Sequence, residues 1–227
     1  MKESIKSENE NDYKVEYIGR GHSDKLKTYK INIIGLNGVG KSSISFRIIN
    51  NKFQKNIPPT ISVDVGNFQV KVNEEIIQLQ LWDACGNEEF IEKTPNLFRD
   101  TYAAIIVYAI NDRKSFFQIE KWNNILSQYT FECIKFLIGN KSDLEDSRVV
   151  SKEEGEKLRE DYDFKLFIET SAKEGFNITN LINNIAISIY QKRKENEEII
   201  CQGTIKSRII LNDFKKVSNQ KRKKKCC

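Results

Sequence analysis

Apolar residues fall along this chain in short runs of two kinds. Residues 29–34 (YKINII) form a strand-like run, followed by a glycine-rich turn and then by residues 44–49 (ISFRII) in helical spacing. Residues 63–72 and 76–83 read as two extended segments, joined through Asn73 and Glu74 in a hairpin connection. In the second segment Ile77, Leu79 and Leu81 alternate with Gln78, Gln80 and Trp82, which predicts one buried and one exposed face. Residues 103–110 and 134–138 are unbroken apolar runs, the pattern of central parallel strands covered on both faces. Residues 166–168 make a shorter third run. Helical patterns occupy residues 115–129, 151–161 and 177–194. The last carries Ile178, Leu181, Ile182, Ile185 and Ile189 on one stripe. Strands alternating with helices predict an α/β fold, an open and mostly parallel sheet with helices on both faces.

Three parts are expected. Residues 1–27 are polar, mixed in charge and without sustained period, and read as a flexible leader in which a short helix or strand is conceivable at residues 15–18. Residues 28–193 carry the alternating pattern. Residues 194–227 read as a flexible basic tail ending in KRKKKCC. The chain of 227 residues suits one domain with appendages. No run is long enough to cross a bilayer, and the N-terminus lacks the apolar core of a secretory signal.

Five cysteines, two of them terminal neighbours, make no disulfide framework, and no Cys/His cluster suggests zinc. The one histidine, His22, lies in the polar leader, which excludes histidine-based catalysis. Net charge is +5, but residues 215–225 hold seven Lys/Arg and no acid. Subtracting those seven leaves the rest near −2, so the basic character belongs to the tail.

The chemistry sits where strands end, as expected for ligands of open α/β sheets. After the first run comes GLNGVGKSS, residues 35–43, a match to G-x-x-x-x-G-K-S between a strand and a helix. Its glycines let the backbone approach an anion, and successive N–H groups form a nest. That nest spans Asn37, Gly38, Val39, Gly40, Lys41, Ser42 and Ser43. Lys41 supplies charge to β- and γ-phosphates, and the Ser42 hydroxyl suits Mg²⁺. After residue 82 comes DACGNEE. Asp83 is placed for the Mg²⁺ shell, and the Gly86 amide for a γ-phosphate.

After residue 138 comes GNKSD, holding Asn140, Lys141 and Asp143. A carboxylate at 143 accepts two hydrogen bonds from guanine, a donor pair that adenine lacks, while the Lys141 stem can lie over the base. After residue 168 comes ETSAK. Its Ser171, Ala172 and Lys173 place a backbone N–H near guanine O6, although a capping serine is the ordinary reading of that segment alone.

Taken together, GLNGVGKSS, PPTISVD, WDACGNEEF, GNKSD and ETSAK, in this order, resemble the Ras superfamily of small GTPases, and within it the Rab family, over about residues 28–193 and at the C-terminus. Trp82 before Asp83 and the closing Cys226-Cys227 favour Rab. The resemblance implies a P-loop NTPase-type three-layer α/β/α fold with six strands, one of them an antiparallel edge. It implies a GTP/GDP switch that hydrolyses GTP. Mg²⁺ would be held directly by Ser42 and Thr60 and through water by Asp83. Thr60 and Gly86 would hold the γ-phosphate, with residues 53–65 and 84–99 as switches. Implied partners are effectors, an exchange factor, an activating protein and Rab escort protein or GDI. The implied setting is the cytoplasmic face of an intracellular membrane, with a cytosolic pool, in vesicle traffic.

Several positions depart from the family pattern. Asn87 stands where Gln normally orients the attacking water, and its amide falls roughly 1.3–1.5 Å back. Slow hydrolysis follows as an expectation, with Asn87 as a weak catalytic replacement beside Lys41 and Thr60. Asn37 replaces a small residue and is expected to crowd the γ-phosphate. Ala84 and Cys85 replace Thr and Ala, Ser62 and Val65 replace Gly and Phe, and Pro95 enters the second switch. Cys85 is expected to be a packed residue.

The tail is not a C-a-a-X box. It resembles the Rab ending, which implies geranylgeranyl groups on Cys226 and Cys227, reinforced by the basic run at about 1 kcal/mol per Lys or Arg near an anionic leaflet. A basic run alone also fits a nucleic-acid patch, but no nucleic-acid partner is expected. Two other readings stand beside the switch. One is a nucleotide-binding scaffold with little turnover. The other is a P-loop ATPase or kinase, against which Asp143 argues.

Overall fold

The computed structural model describes residues 13–87, 94–130 and 132–223, with side chains described as far as residue 200. Seven strands form one sheet: β1 (Val15–Arg20), β2 (Thr28–Ile34), β3 (Val63–Val72), β4 (Glu75–Ala84), β5 (Thr101–Ala109), β6 (Ile134–Asn140) and β7 (Leu166–Thr170). Their order across the sheet is β1-β3-β4-β2-β5-β6-β7. From β4 onward every pairing is parallel. The helices are α1 (Lys41–Asn50), α2 (Arg113–Phe117), α3 (Ile119–Tyr129), α4 (Lys152–Asp161) and α5 (Ile178–Lys223).

The central strands are the most buried. Ile31, Ile33 and Ile34 of β2, residues 103–109 of β5, and Phe136, Leu137 and Ile138 of β6 are sealed from solvent, as is the polar Asn32 of β2. One layer packs Trp122, Ile125 and Leu126 of α3 on this sheet with Phe98 and Phe116. The Asn73-Glu74 turn joins β3 to β4 in register Val72↔Glu75, with Asn73 in the left-handed region at φ 54°. The helix expected at residues 115–129 is split at Gln118. Its start is fixed earlier by Asp112, whose carboxylate accepts from the N–H groups of Lys114 and Ser115. Ser151 and Glu154 close α4 with a reciprocal capping box.

Three expectations are corrected. The sheet has seven strands rather than six, because leader residues Val15–Arg20 add β1 antiparallel to β3. Tyr17 of β1 stacks on Phe68 with centroids 5.8 Å apart, and Arg20 donates to Asn50 Oδ1 at 3.1 Å. Gln78 is buried instead of exposed, because the leader covers it. Its amide donates to Thr28 Oγ1 and His22 Nδ1, and its oxygen accepts from the Ser23 N–H at 2.6 Å.

Finally, α5 does not stop near Lys194. Its apolar stripe ends at Ile189, and a second compact unit begins at Tyr190. Fading periodicity ends burial, but it does not end a helix that meets no proline and carries the pairs Arg193–Glu197 at 3.5 Å and Lys194–Glu197 at 3.7 Å. Cys226 and Cys227 lie outside the described residues, as do residues 88–93 of the expected second switch.

Candidate nucleotide site

The loop after β2 has no slack. Gly35 sits at φ 143°, and a Cβ there would lie 2.2 Å from the Val107 carbonyl oxygen of β5. Gly40, at φ 97°, caps the N-terminus of α1, and a Cβ there would meet Asn140 Nδ2 at 2.3 Å. Only glycine serves at either end. Between them the backbone folds around Lys41, whose ammonium donates to the Gly35 and Leu36 carbonyls at 2.9 and 3.1 Å. Lys41 is nearly buried, and burial lowers its pKa to about 8.

Three oxygens meet beside Lys41. Ser42 Oγ lies 2.9 Å from Thr60 Oγ1, and Thr60 Oγ1 lies 3.3 Å from Asp83 Oδ2. Burial raises the Asp83 pKa, and its other oxygen, Oδ1, is buried with no hydrogen-bond partner. Two hydroxyls and an under-satisfied carboxylate are hard oxygen donors of the kind Mg²⁺ takes with phosphate oxygens. Among the described residues no group of three or more His, Cys, Asp or Glu side chains is placed to hold a metal ion. A cavity of about 500 Å³ opens here, lined by Asn37, Lys41, Ser42, Pro59, Thr60 and Gly86 among others. Asn87 follows Gly86 and is exposed. Cys85 is packed, with its N–H bonded to the Ser62 carbonyl at 2.9 Å.

The second half of the site lies at the ends of β6 and β7. Asn140 is buried and joins three segments. Its Nδ2 donates to the Val39 carbonyl at 2.8 Å, and its Oδ1 accepts from Thr170 Oγ1 at 3.1 Å and the Ala172 N–H at 3.3 Å. Lys141 is in the left-handed region at φ 65°, which turns the chain so that Asp143 follows in a short 3-10 segment. Asp143 Oδ1 accepts from Ser171 Oγ at 2.6 Å, while Oδ2 lies 3.5 Å from Lys173 Nζ. A carboxylate so oriented, beside a backbone N–H at Ala172, has the acceptors and donor that a guanine edge requires.

Thus Lys41, Ser42, Thr60, Asp83 and Gly86 converge on one side of the phosphate loop. Asn140, Asp143, Ser171, Ala172 and Lys173 converge on the other. Two contributors escaped sequence reasoning. Thr170 lies within the quoted ETSAK stretch and supports Asn140. Arg47 of α1 donates to the Ala172 and Lys173 carbonyls at 2.8 and 2.6 Å, with no sequence signal, since an arginine on an amphipathic helix reads as solvent-facing.

Comparison with known proteins agrees with this geometry. The Ras family model matches residues 30–191. The Ras-related protein RabC of Dictyostelium discoideum is 34% identical over 202 residues, covering 88% of this chain and 97% of the relative. The chain therefore belongs to the Ras family, as a Rab-like small GTPase that binds GTP and GDP and hydrolyses GTP.

Proposed function

We propose that this protein is a Rab-type switch in vesicle traffic, at the cytoplasmic face of an intracellular membrane, with slow intrinsic GTP hydrolysis. The observation that carries the nucleotide part is Asn140, whose buried amide ties the phosphate loop to the segment beside Asp143. One side chain thereby sets the spacing between a phosphate grip and a base reader.

In this reading the N–H groups of residues 37–43 and Lys41 hold the phosphates. Ser42 and Thr60 would hold Mg²⁺, with Asp83 behind them, and the ion would supply positive charge to the phosphates. Thr60 and Gly86 secure the γ-phosphate. Asp143 accepts from the guanine ring N–H and exocyclic amine, the Ala172 N–H meets O6, and Lys141 lies along the base. Asn87 orients the attacking water from a side chain one methylene too short, which is why turnover is slow.

Membrane attachment rests on Cys226 and Cys227 with the basic run before them. Two lipid chains anchor stably where one does not. No helix among the described residues is long and apolar enough to cross a membrane. Support for the trafficking role is the likeness to a Ras-related Rab protein over most of both chains. Effectors and regulators are those of the Rab type.

The test of the nucleotide reading is direct. Purified full-length protein with Mg²⁺ is offered equal GTP and ATP, and the bound nucleotide is identified. Guanine nucleotide alone should be retained, and chelating the metal should speed its loss. Equal retention of ATP would end this reading.

A further inference from the structure

The Gly86 N–H is bonded to the chain itself. It donates to Asn37 Oδ1 at 3.0 Å. A backbone N–H has to face the oxygen of the side-chain amide, so the orientation of Asn37 is set by this contact. The approach is close throughout. A Cβ on Gly86 would lie 2.4 Å from Asn37 N, 2.5 Å from Asn37 Oδ1 and 2.7 Å from the Leu36 carbonyl carbon. Gly86 is buried here, and both residues line the cavity that also holds Lys41, Ser42 and Thr60.

We propose that Asn37 sets the balance between the diphosphate and triphosphate forms, by offering Gly86 an internal acceptor in place of a γ-phosphate oxygen. This rests on the nucleotide reading above. One N–H makes one strong bond. A diphosphate leaves the Asn37–Gly86 contact undisturbed. A triphosphate has to displace the Asn37 oxygen, or forgo the Gly86 donor. A phosphate oxygen is the stronger acceptor, so the contact yields, but its loss is set against GTP and not against GDP. Asn37 is a positioning residue in this scheme, because it acts on nucleotide preference through the Gly86 N–H. A smaller residue at 37 leaves the donor free and removes the handicap.

The experiment measures affinity of the full chain for GDP and for the β,γ-imido analogue of GTP, in wild type, Asn37→Ala and Asn37→Asp. The ratio of the two affinities cancels any effect on the nucleotide-free protein. Asn37→Ala should raise the preference for the triphosphate about three- to tenfold, the range of one net hydrogen bond. Asn37→Asp keeps the acceptor and should show no rise. Amide hydrogen exchange at Gly86 gives a second reading. With GDP bound it should quicken in Asn37→Ala, and with the triphosphate analogue it should not. An unchanged ratio in Asn37→Ala, or an equal rise in Asn37→Asp, overturns the proposal. Failure of both nucleotides to bind wild type would instead remove the nucleotide reading beneath it.

Discussion

Asn140→Ala deletes a side chain that three segments share. The variant loses the bond to the Val39 carbonyl and both bonds into Oδ1, from Thr170 Oγ1 and the Ala172 N–H. The Thr170 hydroxyl is fully buried but can rotate toward another acceptor. The Val39 carbonyl and the Ala172 N–H are fixed by the backbone and stay unpaired. Each such group costs about 1–3 kcal/mol, so the expected loss for the two is about 2–6 kcal/mol of folding stability. For a domain of this size that lowers the melting temperature by roughly 4–24 °C. The deletion also uncouples the phosphate loop from the Asp143 side. Affinity should fall for GDP and GTP alike, because Asn140 touches neither Gly86 nor Thr60 in any of its three bonds. Thermal melts of nucleotide-free protein and calorimetric titration with each nucleotide measure the two effects. Thr170→Val, which removes only one bond, should cost less than half as much. A melting temperature within 2 °C of wild type, or a loss confined to GTP, would refute the reasoning.

The remaining expectations follow from single contacts. Asp143→Asn keeps an acceptor for Ser171 but presents an amine to the guanine donors, so GTP affinity should fall by at least about a hundredfold while xanthosine triphosphate gains; competition binding reads this, and undiminished GTP binding would remove Asp143 from the base contact. Asn87→Gln should speed single-turnover GTP hydrolysis by roughly ten- to hundredfold, and an unchanged rate would reject the short-amide explanation. Tyr17→Ala loses the stack on Phe68 and should lower stability by about 1 kcal/mol in urea melts, whereas no change would mean that β1 is held by its backbone alone. Replacing Cys226 and Cys227 with Ser should move the protein from the membrane pellet to the soluble fraction, and persistence in the pellet would point to a different anchor.

What the sequence disclosed, and what it concealed, divides along physical lines. The central strands were readable because burial on both faces requires apolar residues at consecutive positions, as in residues 103–107. The phosphate loop was readable because an anion nest between strand and helix admits few residue types. β1 was legible only as a conceivable short helix or strand at residues 15–18, since VEYIGR shows no buried face; no residue in it is fully buried, and β3 holds it largely through the ladder. Gln78 misled for the same reason. A polar residue in a strand reads as solvent-facing unless the segment that covers it is known. The Arg47 clamp on the Ala172 and Lys173 carbonyls joins residues more than a hundred positions apart, and no local pattern encodes such a pairing. The crowding expected from Asn37 concerned a γ-phosphate; its bond to the Gly86 N–H joins residues 49 positions apart, which no local pattern encodes.

Gly35 against Val107 and Gly40 against Asn140 have a consequence for how nucleotide leaves. Its two ends pack closely, Gly35 against the Val107 backbone of β5 and Gly40 against the Asn140 side chain of β6, so the phosphate cradle is the more tightly held wall. The give must come from the opposite wall, where residues 52–62 run between α1 and β3 without regular structure. On the proposed nucleotide reading, a substitution that loosens residues 52–62 should speed nucleotide release while Gly35 and Gly40 hold their places against Val107 and Asn140.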